Sequence, residues 1–286
     1  MRLAPLLAGA LALASAVAQA QTTPQVGRTE FKVCQDPNNM PFSNPKGEGI
    51  ENRIAELFAK DLGLPVSYYS FPQRMAFVRN TLRYKLPGED FRCDIIMGVP
   101  SGFDQVSVTK PYYRSTYALV FPKGGALDGV KSTADLLALP AATLKKLRIG
   151  VGDRSPATEW LAHHDLVDQG VPFPMLSPDP EHYPGQLIER ELADNRVDAA
   201  IVWGPIAGWF AKRVKSRELV VVPMVSEKGV KFDFPMAMGV RYGEPQWKQQ
   251  IEALIEKRRP EIQAILRDFG VPMLELESAP ATSSAR

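Results

Sequence analysis

Apolar positions along this 286-residue chain follow two periods in alternation. Short apolar runs at 31–34, 66–71, 94–99, 114–121, 147–151, 198–203, 220–225 and 234–240 read as strands covered on both faces. Between them, Ile50, Ile54, Leu57, Phe58 and Leu62 recur at helical spacing, and Gly63 stops them. Met75, Val78 and Leu82 predict a second helix. Ser155 as N-cap with Pro156 at the first helical position opens a third, carrying Trp160, Leu161 and Leu166. Further helices are predicted near 184–195, after Pro205, and along 244–269. The last has Trp247, Ile251, Leu254, Ile255, Ile262, Ile265 and Leu266 on one stripe, and Pro260 must kink or divide it. Strands alternating with helices in this way predict an α/β architecture.

The segment 94–121, DIIMGVPSGFDQVSVTKPYYRSTYALVF, holds a strand, a Gly98–Pro100 turn, a loop, a Pro-Tyr-Tyr corner and a second strand. After Gly124 and Gly125 the βα alternation starts again, and the last elements return to the first group. The expected organisation is therefore two lobes joined by two crossings, with lobe one at 28–122 and 226–276 and lobe two at 123–225. Ligands of open α/β sheets sit beyond the carboxyl ends of the strands. The loops after Cys34, Met97, Val151 and Val202 would then line one shared cleft.

The remaining segments change this picture at its edges. Arg2, the apolar stretch 3–17 and Ala18-Gln19-Ala20 have the form of a signal peptide cleaved after Ala20, which predicts a periplasmic protein. About 15 apolar residues fall short of the ~20 a bilayer span requires, and no other run comes closer. The end, 277–286, is small and polar and is expected to be a flexible tail. With 34 basic and 32 acidic residues interspersed, the net charge of +2 offers neither a nucleic-acid footprint nor an anionic membrane patch. Cys34 and Cys93 are the two cysteines. An even pair in an oxidising compartment suggests a disulfide. Against it, Cys34 lies late on its strand and Cys93 ahead of its own, which in simple parallel register would hold the sulfurs apart. Both outcomes stay open.

Several residues stand where a cleft would need chemistry. Asp36, Asn38, Asn39 and Phe42 offer carboxylate, amide and aromatic contacts, although Asp and Asn also serve turns. Ser155 and Thr158 open a helix whose N–H groups suit an anion, or they merely cap it. Gly98 and Val99 end one strand, Tyr113 and Arg114 open the next, Trp203 stands at a strand–loop junction, and Arg74 follows a strand. Catalytic patterns are absent: there is no nucleophile elbow, no C-x-x-C and no phosphate loop. His163, His164 and His182 lie in no metal-ligand spacing, and the adjacent pair is expected on different helix faces. An enzyme on this scaffold would need an acid or base with a perturbed pKa in the cleft, and Glu159 and Asp179 are the acids to nominate. The expected class is a non-enzyme without cofactor or metal.

The blocks VCQDPNNMPFSNPKGEGIENRIAELFAKDLGL, FPQRMAFVRNTL, CDIIMGVPSGFD, TKPYYRSTYALVF and DAAIVWGPIAGWFAK resemble the quinoprotein dehydrogenase-associated putative ABC transporter substrate-binding proteins. These are the periplasmic J proteins of methanol dehydrogenase gene clusters in methylotrophs. The resemblance runs over 31–276. It implies a two-lobed type II periplasmic binding protein fold with a two-crossing hinge. It also implies a role as partner or maturation aid of a PQQ-dependent methanol or alcohol dehydrogenase; a monomer is the expected state, which the sequence itself does not set. More distant relatives, the amino-acid receptors of ABC importers, clamp the ligand carboxylate with an arginine that here falls on Gly102. Where they carry an acid for the ammonium group, Trp203 and Gly204 stand. The resemblance thus keeps the scaffold and loses the amino-acid signature, leaving a different small molecule as the alternative ligand.

Overall fold

A computed structural model gives the structure of residues 27–73, 76–175, 179 and 181–276. The predicted leader, the predicted tail, Arg74 and Met75 lie outside these described residues. The first half of the chain runs β1 (Phe31–Gln35), α1 (Ile50–Leu62), β2 (Val66–Ser70), α2 (Phe77–Asn80), β3 (Ile95–Pro100), β4 (Ser107–Val108) and β5 (Tyr113–Pro122). Then come α3 (Thr133–Leu137), α4 (Ala141–Leu144), β6 (Ile149–Gly152), α5 (Pro156–His163), β7 (Gly170–Phe173), a π-helical turn at Leu187–Leu192, β8 (Ala199–Trp203), α6 (Gly204–Ala211) and β9 (Leu219–Pro223). The chain closes with β10 (Asp233–Val240), α7 (Pro245–Lys257), α8 (Arg259–Asp268) and β11 (Met273–Leu274).

The strands lie in the order β2-β1-β3-β10-β5-β8-β6-β7, with β4 beside β10 and both β9 and β11 beside β5. Strand β5 belongs to two sheets. Its residues 113–116 pair antiparallel with β10, and 117–120 pair antiparallel with β8. The first sheet is therefore β2-β1-β3-β10-β5 and the second β5-β8-β6-β7. The change of partner falls inside one continuous strand, between Thr116 and Tyr117. Around it, the Thr116 hydroxyl donates to the Met224 carbonyl at 2.6 Å and Ser115 donates to that of Pro272 at 2.6 Å.

Side-chain alternation explains why the strands read as unbroken apolar runs. In β5, Leu119 and Phe121 face one apolar cluster while Ala118 and Val120 face another. In β3, Ile95 and Met97 face the cluster of α1, α7 and α8, whereas Ile96 faces that of Cys34 and Val78. Gly98, at φ +77°, breaks the alternation and turns Val99 to the side of Ile96.

Helix α1 ends where expected, with Gly63 left-handed at φ 66°. Pro260 opens α8 and so divides the long stripe. The predicted helix around Met75, Val78 and Leu82 shrinks to the four residues of α2, because Ala76 before it is left-handed at φ 67°. Cys34 and Cys93 are bonded, with Cα atoms 5.3 Å apart. The pairing sets Cys34 against Ile96, but the chain bends at Asp94 and lays Cys93 on the face of β1. Below them a knot of charge ties the first sheet together. Arg241, buried, donates to Asp94 at 2.5 Å, to the Cys93 carbonyl at 2.5 Å and to Glu244 at 2.7 Å, and Arg28 donates to Glu244 at 2.8 Å.

Candidate functional site

The loop after β1 crosses from the first sheet to the second. Asp36 shapes its start: one carboxylate oxygen accepts from the Asn38 amide at 2.8 Å and the other from the Gln73 amide at 2.5 Å. Asn39 donates its side-chain amide to Gln73 at 2.7 Å. Beyond a cis Met40–Pro41 bond, Phe42 packs on the second sheet's cluster of Leu187, Ile206 and Phe210, while Met40 packs on clusters of both sheets. The carbonyls of Pro41 and Phe42 accept from the Ile50 and Glu51 amides at 2.8 and 2.9 Å. The N-terminus of α1, a natural anion site, is thus occupied by the chain's own loop. Gly49 permits this approach, since a Cβ there would lie 2.1 Å from the Phe42 oxygen.

Beneath the loop lies a buried polar group of residues. Asn52 donates to Gln35 at 2.9 Å, and Gln35 to Ser70 at 3.0 Å. Glu51, 9 % exposed, sits in the first turn of α1. Desolvation, followed by the charge of Asp36, raises its carboxyl to about 8. It is therefore largely protonated at neutral pH. A Cβ at Gly98 would fall 2.6 Å from Glu51 Oε1, so the left-handed glycine makes room for this carboxyl. Tyr112 and Tyr113 pack edge-on at 4.8 Å beside it, and burial holds both phenols well above their ordinary value.

The crossing itself is closely packed. Arg114 donates twice to Asp233, at 2.8 and 2.5 Å, and so braces β5 against β10. Trp203 lies edge-on to Tyr117 at 5.5 Å and to Phe234 at 6.0 Å, and packs on apolar clusters of both sheets. Behind it, a Cβ at Gly204 would sit 2.2 Å from the Thr116 oxygen, and one at Gly208 would sit 1.9 Å from the Gly270 oxygen. No acid fits at position 204. Gly102 is exposed, with nothing within 4 Å of an added Cβ.

The other candidates take simpler places. Ser155, buried, donates to the Gly152 carbonyl at 2.7 Å and Thr158 to that of Ser155 at 2.7 Å. Both hydroxyls are spent on backbone, and Ser155 caps α5 without using its side chain. Val99 is core. Glu159 is exposed on α5, and Asp179 accepts from the Glu181 amide at 2.9 Å in a turn. A cavity of about 630 Å³ lies between Lys123, Lys146, Asp198 and Arg217, lined by none of the predicted cleft residues.

One expectation is overturned. His163 and His164 do not diverge: Nδ1 of His163 and Nε2 of His164 lie 3.2 and 2.7 Å from the same Glu227 Oε1. The reason is local. Helix α5 ends at His163, His164 leaves helical geometry at φ −108° ψ 17°, and Asp165 is left-handed at φ 56°. Sequence reasoning also passed over Glu51 and Gly208, and it noted Gly204 only for the acid it lacks. An acid in a helix's first turn is ordinary by sequence, whereas the spacing Gly204, Gly208 on one helix face was a readable sign of close approach.

The chain matches no protein-family model. It is 27 % identical to the protein MoxJ of Methylorubrum extorquens over 296 residues, covering 94 % of this chain and 93 % of the relative. The crystal structure of the periplasmic binding protein XoxJ from Methylobacterium extorquens AM1 matches at TM-score 0.69 and 35 % identity, over 86 % of this chain and 100 % of that one. The crystal structure of MxaJ from Methlophaga aminisulfidivorans MPT matches at TM-score 0.70 and 26 % identity, over 85 % and 100 %. The architecture is accordingly the two-lobed type II periplasmic binding protein fold.

Proposed function

From the premise that this chain belongs to the family of the XoxJ, MxaJ and MoxJ periplasmic binding proteins, we propose that it is a periplasmic accessory protein. In this reading it contacts a PQQ-dependent methanol or alcohol dehydrogenase directly and supports its activity or maturation. It works without chemistry of its own, as a monomer, after removal of the leader at Ala20. Its lobes are 28–122 with 226–276, and 123–225, with β5 as the shared crossing.

The observation that carries this reading is the loop 36–44. Met40 and Phe42 fill the junction between the sheets, and the loop's carbonyls take the α1 amides. With the junction filled by the chain itself, the outer surface is left to recognise a partner, and lobe geometry becomes part of that surface. The test is chromatography of the purified protein with a PQQ-dependent methanol dehydrogenase of the same organism. Co-elution, and reduced dehydrogenase activity in a strain lacking this chain, are expected. Separate elution together with unchanged activity would refute the proposal.

A second reading, a solute receptor for a small molecule other than an amino acid, draws on the buried polar group of Gln35, Asn52, Ser70 and Glu51. A protonated Glu51 would present an O–H donor to an uncharged solute. Binding to the folded state alone raises the melting temperature, by about 2.7 kcal/mol of stability at a hundredfold excess over Kd. A metabolite screen that gives no shift excludes this reading and leaves the first intact.

A further inference from the structure

We propose that His163, His164 and Glu227 form a binding site for one divalent transition-metal cation of the zinc or copper(II) kind. Their ligand atoms lie within 4.8 Å of one another. Two imidazole nitrogens and a carboxylate oxygen are the donor set such ions favour over calcium or magnesium, which require a shell of oxygens.

The site is put together by two separate pieces of backbone. The end of α5 turns successive imidazoles to the same side, as described, with the rings stacked at a centroid distance of 5.2 Å. Glu227 comes from the segment between β9 and β10, where a tight turn pairs it with Val230 across the left-handed Gly229. His164 is further held by Trp160, whose ring lies 4.8 Å away and is fully buried. Its position is thus fixed by packing, while His163 is exposed and open to solvent. Both imidazole nitrogens lie close to one carboxylate oxygen, and an ion inserted among them replaces the His164–Glu227 hydrogen bond and the His163–Glu227 ion-pair contact with three coordinate bonds. Three protein ligands leave coordination positions open to water or to an outside group. Because Glu227 stands on the return crossing and the histidines on lobe two, a bound ion would clip that crossing to α5.

The test uses the full chain purified without a polyhistidine tag and stripped with chelator. Zinc is followed by calorimetry, and copper(II) by quenching of tryptophan fluorescence, for which Trp160 is the built-in reporter. One equivalent of zinc is expected. The affinity should fall by about tenfold or more in His164→Ala and in Glu227→Gln, as the loss of a ligand is at least as costly as the loss of an outer-shell partner. His182→Ala, the remaining histidine, is expected to bind as the parent does. Circular dichroism of each variant separates lost binding from lost folding, and Glu227→Gln keeps the side-chain shape. Absence of zinc binding by the parent would overturn the proposal, as would undiminished binding by His163→Ala/His164→Ala. An equal response to calcium would overturn the assigned class of ion.

Discussion

Glu51 is an acid held in its uncharged form, and this has a signed consequence. Its carboxyl is raised from 4.5 to about 8 by burial and by Asp36. Between those two values the folded chain holds a proton that the unfolded chain has released. Stability from this group is therefore full below pH 4.5 and is lost as pH rises toward 8, by at most about 1.4 kcal/mol for each pH unit. Glu51→Gln, which copies the protonated shape, is expected to match the parent at pH 4.5 and exceed it at pH 8 in urea denaturation. Parallel pH profiles would show that the group does not titrate as described. None of this was readable from the sequence, where Glu51 is one more acid in a helix's first turn. Its burial depends on the loop carrying Phe42, which folds back on Gly49, and on the room that left-handed Gly98 leaves for its carboxyl. The cysteine pair fared better: the two outcomes were visible, but choosing between them needed the bend at Asp94, which no periodicity announces.

Among elements, α6 shows how propensity and packing compete. Replacing glycine by alanine within a helix ordinarily stabilises by about 1 kcal/mol. Gly208→Ala is expected to do the opposite, with a net loss of about 1–3 kcal/mol in denaturant unfolding, because its Cβ would meet the Gly270 oxygen at 1.9 Å. A stabilised Gly208→Ala protein would mean that α6 does not press on that turn. Element type was legible for the longer elements, since strands covered on both faces and amphipathic helices have different periods, whereas the short β4, β7, β11, α3 and α4 stand outside the predicted set. The exceptions have physical causes. α2 is cut short by left-handed Ala76, the π-turn at Leu187–Leu192 packs where a regular helix was expected, and the histidines converge because α5 stops one residue before the pair ends. Backbone departures of one or two residues leave no trace in hydrophobic period.

Over the whole molecule, the two halves are held by apolar contacts across their junction as well as by the strand they share. Phe42 is the contact most easily removed. Phe42→Ser is expected to lower stability by about 1–2 kcal/mol, a partly buried side chain's share of the transfer free energy. It should also enlarge the radius of gyration in small-angle scattering as the junction loosens. An unchanged radius would place the rigidity in β5 and Trp203 instead. The lobe-and-crossing plan was legible because the βα alternation restarts after Gly124. That the junction would be filled from within was not, since Phe42 and Met40 lie far in sequence from the second sheet's cluster on which they pack. The topology also sets an order of assembly along the chain. All partners of the second sheet lie within 117–223, whereas the first sheet lacks the strand that joins β3 to β5 until 233–240 has appeared and its last pairing until 273–274. As the polypeptide emerges during synthesis, the half in the middle of the sequence can close first. The half begun earliest must wait, its β3 edge open, for the final fifth of the chain.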